Sequence, residues 1–412
     1  MTGMTQRSVH DSPAPESTAP VFEIEGNRLS VLPDGPAAWK ALLALIEGAK
    51  AQLQLHFYIF ADDEAGTVIR DALAAAAARG VRVSLIIDGF GSDGTPEDFF
   101  ATISDAGGTV CRFSPRWGRR YLLRNHQKMA IADGACAIVG GFNIERSYFD
   151  PDDDKAWRDL GLAIEGPAAA HLSRYYDELH RWAAQKRATM RQLRRIVRDL
   201  SQRHGAVRWL IAGPTRRLSP FTHRIKNDLR RARRLWMMMA YFSPNWAMLR
   251  RIERIGDRGQ ATIVTAGKSD NNTTISAARH TYRRLLSHGV RLFEYQPRAL
   301  HAKLIVLEGV TYVGSANFDM RSLYLNMEIM LRVRDERFAR HMRGLITAEL
   351  PNSMEIDQAL FNAKASWWRR LIWTISYFLV ATVDFGVSRR LNLGDDQGSS
   401  PYVPRTTGPA AR

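Results

Sequence analysis

Apolar and polar positions divide the chain into short, strongly apolar runs separated by stretches at helical spacing. QLQLHFYIF (Gln52–Phe60) reads as a buried strand. An alanine-rich helix is expected from about Ala65 to Arg79. The turn Arg79-Gly80 then leads into VRVSLIID (Val81–Asp88), a strand rich in β-branched residues. Another helix and the turn Gly107-Gly108 lead to TVCRF. The second half repeats this order. LWMMMAYF (Leu235–Phe242) is the strand, Pro244 to Ile255 the helix, and Arg258-Gly259 the turn. QATIVTAG follows, then a helix to about Ser287, then HGVRLFEY. Strands alternating with helices imply βαβ units, so an α/β protein with a largely parallel sheet in each half is expected.

Each half ends on the same schedule. The first runs NHQKMAIADGACAIVGGFN (Asn125–Asn143) and the second LHAKLIVLEGVTYVGSAN (Leu300–Asn317). Each contains His-x-Lys, four mostly apolar residues, an acid, Gly, an apolar strand, then Gly-Gly or Gly-Ser, one residue and Asn. His126 lies 17 residues before Asn143, and His301 lies 16 before Asn317. WRDLGLAIEG and NMEIMLRV then place Asp159 and Glu328 at the start of an apolar strand. One such motif is weak evidence; two copies in the same context are not a coincidence of composition.

Residues i and i+2 of a strand share a face, so His126 projects with Lys128 and His301 with Lys303. Halves packed about a pseudo-two-fold axis would bring two imidazoles and two ammonium groups into one cleft, with the amides of Asn143 and Asn317 and the Ser315 hydroxyl. Such donors suit the oxygens of a phosphodiester, whose charge grows in a five-coordinate transition state. One neutral imidazole can attack phosphorus, giving a phosphohistidine. The other can protonate the departing alkoxide and then deprotonate the acceptor. Asp159 and Glu328 are candidates to hold the second ring nitrogen of each histidine. No metal or other cofactor is expected, since no clustered carboxylate or HExxH-type ligand set is visible.

Composition narrows the partner. The 412 residues carry 58 Lys+Arg against 42 Asp+Glu, a formal net charge of +16. That excess suits nucleic acid or an anionic membrane surface. An apolar fraction of 45% and a charged fraction of 24% exclude global disorder. No uncharged stretch approaches the roughly 20 apolar residues of a spanning helix, which argues against a polytopic membrane protein. Two cysteines, Cys111 and Cys136, make neither a disulfide framework nor a four-cysteine zinc site, which fits a reducing compartment. Residues 1–20 lack the apolar core of a secretory signal and read, like 394–412, as a disordered tail.

The basic residues cluster. Arg112, Arg116, Arg119, Arg120 and Arg124 precede His126. A helical connector from Lys186 to about Gly205 is the second cluster, and Arg216 to Arg234 the third. Near the end, SWWRRLIWTISYFLVATVDF (Ser366–Phe385) has no charge between Arg370 and Asp384. Those 13 residues make a helix of about 20 Å, too short to cross a bilayer. Aromatics beside arginines suit the headgroup boundary, which favours a membrane over nucleic acid; packing on the protein's own core is the alternative.

These motifs resemble the phospholipase D superfamily, whose signature is the paired HxKxxxxD motif, and within it the bacterial cardiolipin synthases. Tyr58, Asp88, GGFN at 140–143, Trp157-Arg158-Asp159, GSANFDMRS (Gly314–Ser322), Asn326 and Glu328 extend the match over roughly Val21 to Leu350. The resemblance implies two phospholipase D-like α/β/α halves, each with a mixed, largely parallel sheet, and a site at their interface. It makes His126, Lys128, Asp133, His301, Lys303 and Glu308 the catalytic motif residues. Within it, His126 and His301 are the exchanging imidazoles and Lys128 and Lys303 ligate phosphate. Asp133 and Glu308 mainly brace the motif strands; Glu308 replaces the family Asp, and Gly141 stands where many members carry Ser.

The lack of two N-terminal membrane helices resembles the short, peripheral type, cardiolipin synthase B-like. The expected organisation is a first half at 21–185, a basic connector at 186–206, a second half at 207–350 and a membrane-associating segment at 351–393. The expected reaction transfers a phosphatidyl group from phosphatidylglycerol or phosphatidylethanolamine to phosphatidylglycerol. A phospholipase D or nuclease-type phosphodiesterase is the alternative, and a non-catalytic binding module a third reading that the intact motifs oppose. Anionic phospholipid is the expected partner, without nucleic acid. The expected location is the cytoplasmic face of the bacterial inner membrane.

Overall fold

The computed structural model describes residues 20–113, 123–153, 155–185, 188–215, 218–269 and 271–383. The expected tails before Pro20 and after position 393, together with Arg116, Arg119, Arg120, Lys186, Arg216, Asp384 and Phe385, lie outside the described residues.

The first half contributes β1 (Val21–Ile24), β2 (Asn27–Leu32), β3 (Gln52–Phe57), β4 (Arg82–Asp88), β5 (Thr109–Phe113), β6 (Met129–Ala132), β7 (Cys136–Gly140), β8 (Trp157–Arg158) and β9 (Gly161–Glu165). The second contributes β10 (Val207–Ala212), β11 (Arg234–Met239), β12 (Phe242–Ser243), β13 (Gln260–Ala266), β14 (Arg291–Tyr295), β15 (Ala299–Leu300), β16 (Lys303–Leu307), β17 (Val310–Gly314), β18 (Phe318–Asp319), β19 (Glu328–Arg334) and β20 (Ser353–Ile356). Each half forms one eight-stranded sheet, ordered β1-β2-β9-β7-β6-β3-β4-β5 and β10-β19-β17-β16-β11-β13-β14-β20. Seven strands correspond one to one, from β2 with β10 to β5 with β14, and β1 and β20 extend opposite edges. The repeat in the sequence is thus a repeat of topology.

Both sheets are mixed, but the expectation that they are largely parallel is not met. Within these two sheets, among the described residues, only β3-β4-β5 and β11-β13-β14 pair in parallel. The βαβ pattern covers just those three strands of each half. The motif strands β6 and β16 return at once through tight turns into β7 and β17, and such hairpins force antiparallel pairing. The second half also runs past position 350, because β20 pairs with β14.

Helices cover the outer faces. Helix Glu64–Ala78 begins at Asp63, whose carboxylate caps the Gly66 N–H at 2.8 Å. Between the sheets lies one shared core, with Val139 and Leu162 of the first half and Val313 and Leu331 of the second. The connector adds Met190, Leu193 and Val197 to it, so its helix (Met190–Asp199) is half-buried. Because β6 runs antiparallel to β3, with Met129 opposite His56, the start of the motif strand lies at the carboxyl end of β3. That is the end of an α/β sheet where ligands bind.

Helix Trp367–Phe378 packs one face against the protein's own core. Trp373 packs on Phe361, with ring centroids 5.6 Å apart, and Tyr377 stacks on His280 at 4.7 Å. The Tyr377 hydroxyl donates to the Pro244 carbonyl at 2.7 Å. The opposite face leaves Trp367, Trp368, Leu371, Ile372, Ile375 and Phe378 exposed. No helix among the described residues is long and apolar enough to cross a membrane.

Candidate active site

The one-residue difference between the two motif spacings lies in the turns. Between β6 and β7 the turn is Asp133-Gly134-Ala135, with Ala132 opposite Cys136. Between β16 and β17 it is only Glu308-Gly309, with Leu307 opposite Val310. Asp133 and Glu308 both adopt left-handed backbone, φ 54° and 51°. Each acid ties the far end of its hairpin to the neighbouring strand. Asp133 accepts from the Lys50, Ala51 and Gln52 N–H groups at 2.7–2.9 Å. Those donors outweigh burial and hold its carboxyl below the usual range. Glu308 accepts from the Arg233 and Arg234 N–H groups and uses its extra methylene to reach Arg234 Nε at 2.9 Å. Each acid lies seven positions after its histidine, roughly 20 Å along extended chain. They are braces and do not touch the reacting groups.

The histidines face a cleft of about 450 Å³ between the halves. Each is held by the half to which it does not belong. His126 Nδ1 lies 3.1 Å from Glu328 Oε2, and the His126 N–H donates to the Met327 carbonyl at 2.9 Å. His301 Nδ1 lies 2.6 Å from Asp159 Oδ2, and the His301 N–H donates to the Arg158 carbonyl at 2.9 Å. β8 pairs with β15 to make the second exchange a short parallel ladder. With Nδ1 held by a carboxylate, Nε2 is the nitrogen each ring offers to the cleft. The edge of Tyr58 packs on His126 at 4.9 Å, and Tyr148 and Trp157 flank His301 at 5.2 and 5.3 Å.

The remaining expected residues divide into two layers. Asn143 and Asn317 line the cleft. Asn143 Oδ1 accepts from the Ile59 N–H at 3.1 Å, and its Nδ2 donates to the Tyr148 hydroxyl at 2.9 Å. Lys128 and Lys303 are buried behind the histidines, where each Nζ donates to the carbonyl of its own motif histidine. Ser315 was expected to face phosphate, and the structure places it elsewhere. Its Oγ donates to Glu328 Oε2 at 2.5 Å and accepts from the Ile329 N–H at 3.0 Å. Ser322 Oγ donates to the other Glu328 oxygen at 2.7 Å. Both hydroxyls therefore hold the carboxylate that holds His126.

Sequence reasoning missed Tyr148, which bonds Asn143 and approaches His301 Nε2 at 3.5 Å. Its position, five residues after Asn143, matches Ser322 after Asn317, and that spacing was the available signal. It also missed His56, buried beside the Asn125 carbonyl and pushed down to about 3 by burial. Asp88 was noted, and its carboxylate accepts from the Asn125 N–H at 2.8 Å, fixing the approach to His126.

Burial lowers the His126 imidazole below its ordinary value, more than the facing Glu328 raises it, so the neutral ring is favoured. Burial alone would raise Glu328, yet His126, Lys128 and Ser315 hold it below the usual range. Asp159 is pushed up to about 6 by burial, against the opposing pull of Lys303 and the Leu160 N–H. Burial drives the Lys128 ammonium well down. Arg124 and Arg321 add positive charge to the cleft wall.

Residues 42–180 and 225–348 match the family profile described as "Cardiolipin synthase, PLD-like domain". The chain is 29% identical over 342 residues to cardiolipin synthase A of Pseudomonas putida, covering 81% of this chain and 70% of that protein. It is 29% identical over 343 residues to cardiolipin synthase A of Pseudomonas aeruginosa, covering 81% and 69%. Among solved structures, phosphatidylserine synthase of Haemophilus influenzae superposes with a TM-score of 0.66 at 13% identity, over 90% of this chain and 96% of that one. At that identity the likeness concerns the fold.

Proposed function

The chain belongs to the cardiolipin synthase, phospholipase D-like family and is a phosphatidyltransferase; on that premise we propose that it makes cardiolipin through a phosphohistidine. The observation that carries this reading is the crossed pair, His126 on Glu328 and His301 on Asp159. In the proposed first step, His126 Nε2 attacks the phosphorus of phosphatidylglycerol or phosphatidylethanolamine. A nitrogen–phosphorus bond forms, the phosphorus–oxygen bond to the headgroup breaks, and His301 protonates the departing alkoxide. In the second, His301 takes the proton from a primary hydroxyl of phosphatidylglycerol. That oxygen attacks phosphorus and His126 is released. Lys303 Nζ lies 2.7 Å from His301 Nδ1, and Lys128 Nζ lies 2.7 Å from the His126 carbonyl; in this reading both balance charge on the phosphoryl oxygens, and Asn143 and Asn317 supply amide donors.

Transfer requires that the lipid hydroxyl reach the phosphohistidine before water does. Tyr58, Phe90, Tyr148, Trp157 and Tyr241 wall the cleft, which supports an acceptor brought in along apolar surface. The exposed face of helix Trp367–Phe378, with Arg369 and Arg370 also exposed, suits the headgroup layer of an anionic membrane. Peripheral attachment to a bilayer carrying donor and acceptor follows from the same reading.

The test is to incubate the purified protein with phosphatidylglycerol liposomes and resolve the products. Cardiolipin with an equivalent of glycerol is expected. Phosphatidic acid alone would make water the acceptor, and no lipid turnover at all would overturn the reading.

A further inference from the structure

A second basic site lies outside the catalytic cleft. The connector helix Met190–Asp199, strand β10 and helix Pro220–Arg231 enclose a cavity of about 670 Å³ that shares no lining residue with the cleft. That volume is in the range of small-molecule sites. Arg194 and Arg198, four residues apart on one helix face, line it with Arg203, Arg208 and Arg224. Leu210, Leu218 and Pro220 contribute apolar walls, and no carboxylate is among the described lining residues.

The charge here is unbalanced. Arg208 is 7% exposed, and it sits directly opposite Arg332, itself 1% exposed, in the ladder of β10 with β19. Like charges at facing positions repel. The neighbouring carboxylates are engaged: Asp199 with Arg198 at 2.7 Å, and Asp228 with Arg224 at 3.0 Å and Arg332 at 2.8 Å. Arg208 has no carboxylate of its own among the described residues. Its Nη1 donates to the Arg203 carbonyl at 2.6 Å, while its Nε is buried without a partner among the described residues. Burial, with Arg332 and Arg224, pushes its guanidinium down to about 10. A buried guanidinium facing a second one, without a carboxylate of its own, is expensive for a fold to keep, and an anion beside it in the cavity would offset that cost.

We propose that this cavity is a second, non-catalytic anion site that binds a phosphate group through Arg208, Arg203 and Arg194. Arginine forks match phosphate oxygens in pairs. The apolar walls give room for carbon attached to the phosphate, so a phospholipid headgroup and a soluble phosphoanion share the required chemistry. The proposal does not depend on which reaction the cleft performs.

The test is calorimetric titration of the full chain carrying His126→Asn, which stops turnover and leaves this cavity untouched. Two probes are used separately: pyrophosphate, and dihexanoyl phosphatidylglycerol below its micelle concentration. Arg208→Met and the exposed Arg203→Gln are each expected to weaken one binding event about tenfold, the loss of a charged hydrogen bond. A pyrophosphate-induced rise in melting temperature should shrink in both variants. Response to the lipid alone assigns the site to a headgroup; response to both assigns it to phosphate as such. Isotherms that neither variant changes, or no binding of either probe, would overturn the proposal. Arg203→Gln lies on the surface and keeps the test valid if Arg208→Met fails to fold.

Discussion

The two halves supply nearly equal histidines but unequal carboxylates. Glu328 is gripped by Ser315, Ser322 and His126, and it is held below its ordinary range. Asp159 accepts from the Leu160 N–H at 2.8 Å and meets His301, and burial pushes it up to about 6. Two positions make the difference: at one, Ser322 is matched by Tyr148, which bonds Asn143 and leaves Asp159 without that donor, and the other lies at the end of the hairpin. Ser315 and Gly141 occupy equivalent places after β17 and β7. A Cβ on Gly141 would fall 2.4 Å and 2.5 Å from the two Asp159 oxygens. Asp159 fills the space that a side chain would take. The proposed mechanism needs one imidazole as nucleophile and one as proton carrier, and environments that push paired groups apart assign such roles. A firmly ionised Glu328 beside a neutral His126 fits the nucleophile; a softer Asp159 fits the ring that must gain and lose a proton.

The largest effect tests that division of labour directly. His126→Ala and His301→Ala should each reduce turnover on phosphatidylglycerol by more than the roughly 10²–10⁴ of a lost acid/base. A phosphatidyl ester of p-nitrophenol separates them, because its leaving group needs no proton. His301→Ala should release one equivalent of nitrophenol and retain labelled phosphate, and His126→Ala should do neither. The reverse result would exchange the two roles.

Next in size are the carboxylates. Glu328→Gln and Asp159→Asn should each cost up to roughly 10⁴ in kcat, by analogy with amide replacement of a histidine's orienting acid. Their pH behaviour differs. Glu328 raises His126 against burial, so its removal lets the ring lose its proton at still lower pH. The acid limb of kcat/KM should therefore move down in Glu328→Gln. Asp159 shows its difference in stability. Its folded value, about 6, lies above the ordinary 3.8, so it favours the fold at low pH and that contribution is lost as pH rises from about 4 through 6. Asp159→Asn should flatten the fall in melting temperature between pH 4 and pH 7. An unchanged pH slope would mean that Asp159 is not held up by burial.

Much of this was legible in the chain. The His-x-Lys repeats, the trailing asparagines and the two carboxylates follow from spacing, because strand geometry fixes which residues share a face. The pairing of strands was less legible. Apolar runs that look alike can be parallel or antiparallel, and only the Asp133-Gly134 and Glu308-Gly309 turns betray the hairpins. The exchange of carboxylates between halves was not legible at all, since nothing in local sequence says whether Glu328 serves His301 or His126. Ser315 was misplaced for the same reason. Its neighbour Glu328 is 13 positions away in sequence and 2.5 Å away in space.

The smallest effects come from exchanging the residues that make the halves unequal. Ser315→Ala removes one donor from Glu328 and leaves Ser322 and His126 in place. A lost hydrogen bond to a charged group predicts a decline in kcat of roughly tenfold with little change in KM. It should also raise the Glu328 carboxyl, since the Ser315 hydroxyl is one of the groups holding it down. Gly141→Ser acts in the opposite half, and its sign depends on whether Asp159 can yield. If the carboxylate moves aside, the contact with His301 at 2.6 Å is lost and the variant should approach the loss seen in Asp159→Asn. If it rotates and accepts from the new hydroxyl, the halves become more alike, and Asp159 should stay ionised to lower pH. In that case the flattened pH slope of stability appears without a matching loss of rate. Measuring both slope and rate on Gly141→Ser therefore decides whether the missing side chain at 141 sets the Asp159 carboxyl apart from Glu328 or merely makes room for it.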